Sequence, residues 1–138
     1  MKVLLDTCAL IWFLRNDSEL SEKAAELIEN PNTDAFVSVV SIWEMTIKSS
    51  IGKLQIPIGF HDSLEDRLKA SGFNLLPVEF KHAAGVGTLP SVHSDPFDRL
   101  LISQCKVEKL TAITNDTHWS DPRSVSYTHL TLPTKRIV

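Results

Sequence analysis

Four acidic residues, Asp6, Glu44, Asp98 and Asp116, stand where apolar runs give way to polar sequence or where a helix begins. Asp6 follows Lys2-Val3-Leu4-Leu5, which reads as a buried strand, and Asp116 follows the strand-like Leu110-Thr111-Ala112-Ile113-Thr114. Glu44 falls on the first turn of a helix capped by Ser41, and Asp98 on the first turn of one opened by Asp95-Pro96. Carboxylates gathered on one rim repel one another and raise each other's pKa. A hard divalent cation, Mg2+ or Mn2+, relieves that repulsion and takes carboxylate oxygens plus waters as ligands. No nucleophile–base pair is evident, so metal-activated water attacking a phosphodiester is the chemistry such a set would serve. Each acid also has a purely structural reading. Ser41-x-x-Glu44 matches a capping box, Asp98 complements a helix dipole, and Asp6 and Asp116 suit turns.

The elements between the acids must bring them together. Cys8 to Leu14 fits a helix, and Ser21 caps a second with Ala24, Ala25, Leu27 and Ile28 at helical spacing, stopped by Asn30-Pro31. Phe36 to Val40 is rich in β-branched residues and predicts a strand, and the Ser41 helix runs to about Gly52. Ser63 to Ser71 is amphipathic, Leu75 to Val78 predicts a strand despite Pro77, and Phe80 to Ala84 a short helix. Gly85 to Ser94 reads as a loop, and the Asp95-Pro96 helix extends to about Lys109. Strands alternating with helices predict an α/β domain with a mainly parallel sheet, whose ligands collect outside the carboxyl ends of the strands.

Composition agrees with one such domain. A chain of 138 residues and 15.4 kDa buries roughly 70% of its unfolded surface without disulfides or structural metal. The longest apolar run, Cys8 to Leu14, is far too short to span a bilayer, and no signal-peptide pattern opens the chain, so a cytoplasmic protein is expected. Cys8 and Cys105 are expected as buried, reduced thiols. A net charge of −3 argues against a general nucleic-acid coat protein but not against an enzyme that reaches phosphates through metal ions.

Lys2-Val3-Leu4-Leu5-Asp6-Thr7, the unit Val37 to Glu44, the block His93 to Ile102 and Ile113-Thr114-Asn115-Asp116 occur in the order seen in PIN-domain ribonucleases. Over about residues 1 to 119 the chain resembles the VapC-type toxins of bacterial toxin–antitoxin pairs. The resemblance implies a three-layer α/β/α fold and Mg2+- or Mn2+-dependent endoribonuclease activity. It assigns Asp6, Glu44, Asp98 and Asp116 to the metal-binding positions, with Thr7 and Thr114 as supporting hydroxyls. Asp95 matches an acidic position of the motif and also suits the N-cap role, so Asp98 is taken for metal and Asp95 for support. A homodimer, an RNA substrate and a cognate antitoxin that blocks the site are implied as well. The alternative is a catalytically silent PIN-like module that serves in protein association.

The body is expected over residues 1–123. After about Asp121 the chain departs from the family pattern: residues 124–138 are polar and interrupted by Pro133. They could alternate as an edge strand, but they read more as an atypical, non-native tail. Of the remaining residues, Lys48 lies four positions after Glu44 and suits either an ion pair with it or an RNA-phosphate contact. His93 precedes the acid block and could touch substrate. His61, His82, His118 and His129 lack zinc-site spacing, and Trp12, Trp43 and Trp119 suit core or interface.

Overall fold

A computed structural model describes residues 1–55, 60–90, 94–116, 119 and 129–131, with residues 60–62 and 129–131 described by their backbone alone. Five strands, β1 (Lys2–Leu5), β2 (Asp34–Ser38), β3 (Asn74–Leu76), β4 (Thr111–Thr114) and β5 (His129–Thr131), form one sheet in the order β3-β2-β1-β4-β5. Every neighbouring pair is parallel, with Leu4 of β1 opposite Phe36 on one side and Ala112 on the other. Among the described residues six helices connect or flank them: α1 (Thr7–Arg15), α2 (Glu22–Glu29), α3 (Val39–Ser50), α4 (Phe60–Ala70), α5 (Phe80–Gly85) and α6 (Pro96–Glu108).

Successive side chains of a strand point to opposite faces, so one strand feeds two cores. Val3 and Leu5 of β1 pack with Ala9, Leu10, Ala24 and Ile28 of α1 and α2 and with Leu64 and Leu68 of α4. Leu4, between them, packs with Leu101, Ile102 and Cys105 of α6 and with Trp119. Helices therefore cover both faces, and the expected three-layer α/β/α arrangement is present.

Local chemistry sets the helix starts. Asp6, Ser21 and Asp95 each accept a backbone N–H from the first turn they precede, and Pro96 takes the first position of α6. One start differs from expectation. Strand β2 ends at Ser38 and α3 begins at Val39, two residues before Ser41, because Ser38 is the cap: its Oγ accepts from Val40 N at 3.0 Å and donates to Gln104 Oε1 at 2.5 Å. Ser41 is instead buried within the first turn, so the capping-box reading of Glu44 fails. The predicted Gly85–Ser94 loop opens as a 3-10 turn over Val86–Thr88, and the Arg99 guanidinium donates to the carbonyls of Val86, Leu89 and Pro90. Pro77 falls outside β3, as its missing N–H requires. Within the segment read as a tail, His129–Thr131 lies along β4 as the sheet edge.

Candidate active site

The chain steps outward from β1 through β2 to β3 on one side of the sheet and places β4 on the other, so strand order reverses between β1 and β4. A crevice opens at the carboxyl ends of strands at such a reversal. Asp6 leaves β1 and Asn115-Asp116 leave β4 at this point, while α3 brings Glu44 and α6 brings Asp98 from either flank. All four acids line one cleft of about 350 Å3, together with Asp95 and Lys48.

Asp6 is 7% exposed and caps α1, its Oδ1 accepting from Ala9 N at 2.8 Å. Burial pushes its carboxyl from 3.8 up to about 6, with Asp116 and Glu44 adding to the rise; a hydrogen bond from Thr114 and the Ala9 amide oppose it. Asp98 rises further, to about 7, through burial first and then through Asp95, Glu44, Asp6 and Asp116. The mutual repulsion expected of these acids is thus present. Glu44 is buried with both oxygens engaged: Oε1 accepts from Thr7 Oγ1 at 2.7 Å, and Oε2 is paired with the Lys48 ammonium. That pairing holds Lys48 above its ordinary value. Thr7 Oγ1 also lies 3.0 Å from Ser41 Oγ, which ties α1 to α3 directly beneath the cleft.

The hydroxyls and Asp95 stand beside the acids. Thr114 is buried, and its Oγ1 accepts from Asp116 N at 3.0 Å, so one side chain links the ends of β1 and β4. Asp95 Oδ1 accepts from Phe97 N at 2.8 Å and Asp98 N at 3.2 Å, an N-cap whose carboxylate still borders the cleft. His93 lies outside the described residues. Cys8 corrects an expectation: it is exposed at the cleft and not in the core, while Cys105 is buried. Desolvation of its sulfur and the nearby Asp6 and Glu44 carboxylates push the Cys8 thiol up to about 11, so it stays protonated at neutral pH. Cys8, Asn115 and Trp119 were missed as cleft residues, although Cys8 and Asn115 lie within two positions of an acid already singled out.

The donor set suits a hard cation. Among the described residues, the only His, Cys, Asp and Glu group with ligand atoms all within 4.8 Å of one another is Glu79, His82 and Glu108, at the opposite end of α6. There the buried His82 accepts from Glu79 N through Nδ1 at 3.0 Å and meets Glu108 Oε2 through Nε2 at 2.8 Å. Lys81 meets the same oxygen at 3.2 Å. That group is internally satisfied and joins α5 to α6. The cleft acids stand wider apart, so a cation among them would keep water among its ligands.

Residues 3–124 match the family model described as the PIN domain. The chain belongs to the PIN-domain family. No curated protein matches this PIN domain. Among solved structures it is similar to VapBC2 from Rickettsia felis bound to a DNA fragment from their promoter, with a TM-score of 0.69 at 16% identity over 95% of this chain and 98% of that one. DNA-bound VapBC from Salmonella typhimurium gives 0.62 at 13% identity, covering 95% of this chain and 98% of that one. FitAcB from Neisseria gonorrhoeae gives 0.61 at 20%, covering 91% and 96%. At such identities the likeness is one of fold.

Proposed function

We propose that this PIN domain is a divalent-cation-dependent endoribonuclease and the toxin of a toxin–antitoxin pair. The observation that carries the reading is the convergence of Asp6, Glu44, Asp98 and Asp116 on one cleft at the strand-order reversal, with Asp6 and Asp98 raised to about 6 and 7. Concentrating so much negative charge is costly unless a cation offsets it, and a silent binding module would have no use for it.

Asp6, Glu44, Asp98 and Asp116 would hold Mg2+ or Mn2+. Bound there, the ion would polarise a water for attack on phosphorus and offset charge on the phosphate. Asp6 and Asp116, at the ends of adjacent central strands, provide the rigid side of the cleft. Thr114 fixes their relative position, Thr7 orients Glu44, and Asp95 holds the first turn of α6 so that Asp98 faces them. Lys48 is a candidate contact for an RNA phosphate, and His93 for the substrate. The fold's likeness to VapBC and FitAcB complexes supports a cognate antitoxin as partner. A homodimer follows the same family pattern. Among the described residues no helix is long and apolar enough to cross a membrane, and the cytoplasm is the proposed location.

The test is incubation of the purified protein with a pool of single-stranded RNA and tRNA in Mg2+, Mn2+ or EDTA, beside Asp6→Asn. Cleavage that needs the metal and is lost in the variant is expected. A folded protein that leaves every RNA intact, or an Asp6→Asn variant that cuts at the parent rate, would sink the reading.

A further inference from the structure

Glu44 has no oxygen to spare. Thr7 donates to Oε1 and the Lys48 ammonium pairs with Oε2, although Glu44 is the deepest acid on the α3 side of the cleft. Lys48 is the one lysine or arginine that lines the cleft among the described residues, and its side chain is 42% exposed while that of Glu44 is 6% exposed. An ammonium on a flexible four-carbon stem can leave for solvent at little cost, whereas the carboxylate it covers cannot.

From this we infer that Lys48 is an internal counter-ion standing in for the divalent cation at Glu44, and that it must let go before a metal can use Oε2. The inference deepens the proposed metal-dependent reading and rests on it. Lys48 then sets how tightly the PIN domain takes up its ion: it stabilises the cation-free cleft and competes with the cation for one oxygen. The competition is local. Four residues along one helix fix the ammonium over Glu44, and its pairing is with the Oε2 oxygen of that acid.

The experiment titrates Mn2+ alone, followed by electron paramagnetic resonance of the free ion, against the full chain and three variants: Lys48→Gln, Lys48→Arg and Glu44→Gln, with the Lys48→Gln/Glu44→Gln double variant. Circular dichroism establishes that each is folded. Lys48→Gln is expected to bind Mn2+ about fivefold more tightly, the size of a partly exposed ion pair, and Lys48→Arg to stay close to the parent. In the Glu44→Gln background the gain should vanish, because a direct competition needs both partners. Equal affinity of parent and Lys48→Gln overturns the inference and leaves the metal site standing. A gain that persists without the Glu44 charge also overturns it, since Lys48 would then act only through the general field of the cleft. Absence of Mn2+ binding by every protein overturns the metal-dependent reading and the inference together.

Discussion

Asp6 does two things with one side chain. Its carboxylate caps α1 through Ala9 N, and it lines the acid cleft. Asn can still accept from Ala9 N but cannot supply the charge, so Asp6→Asn should lower cleavage at least about a hundredfold while leaving the circular dichroism spectrum unchanged. The same substitution reports on stability. The carboxyl is at about 6 in the fold against 3.8 ordinarily, so the folded state binds the extra proton. That stabilisation is complete below about pH 4 and is lost as pH rises through 6, and Asp98 extends the loss to about 7. Without metal, the protein should therefore melt at lower temperature at pH 8 than at pH 5. Asp6→Asn should be more stable than the parent at pH 8 by up to about 3 kcal/mol. Mg2+ should reverse the trend, raising the melting temperature of the parent more at pH 8 than at pH 5, because the ion binds the ionised acids and only in the folded state. A parent whose melting temperature is the same at both pH values, with and without Mg2+, would contradict the electrostatic account.

At the scale of elements, the start of α3 decides where Glu44 sits. Two serines three apart can each cap that helix, and local rules do not choose between Ser38 and Ser41. The choice is made by Gln104, which lies 66 positions away and receives the Ser38 hydroxyl in the buried layer between α3 and α6. Ser38→Ala removes the cap and strands the Gln104 oxygen, and should cost about 2 kcal/mol in urea denaturation. Ser41→Ala removes only a contact to Thr7 and should cost less than about 1 kcal/mol. The opposite order would restore the Ser41 cap. The same contrast explains what was legible in the sequence. Asp95-Pro96 and Ser21 were readable because their acceptors and donors lie within one turn. The strand–helix alternation, the central strands β1 and β4 and the convergence of the acids were readable because apolar runs ended next to them. The bond from Thr7 to Glu44, the burial of His82 against Glu108 and the exposure of Cys8 were not, since each depends on which helices meet across the sheet.

For the whole molecule, the edge of the sheet is the vulnerable part. His129–Thr131 covers the β4 strand that leads to Asp116, and every acid of the cleft lies upstream of it. A chain ending at residue 123 loses that strand and leaves the β4 N–H and C=O groups open to pairing with other chains. Its melting temperature should fall and larger species should appear on size-exclusion chromatography with light scattering. The fraction that keeps the parent's size should still bind Mn2+. An unchanged elution profile and melting temperature would show that β5 contributes nothing to the fold.

The parallel sheet has a consequence for timing. β1 lies between β2 and β4, and the strand that completes the cleft beside Asp6 is made only after β2 and β3. While the chain is still emerging from the ribosome, Asp6 and Glu44 are already made, but Asp116 and the wall it stands on are not. On the proposed reading, a nuclease assembled in this order cannot cut RNA before β4 has been made. On that reading activity begins only once β4 pairs with β1, so the proposed inhibitory partner could be present before the cleft is complete.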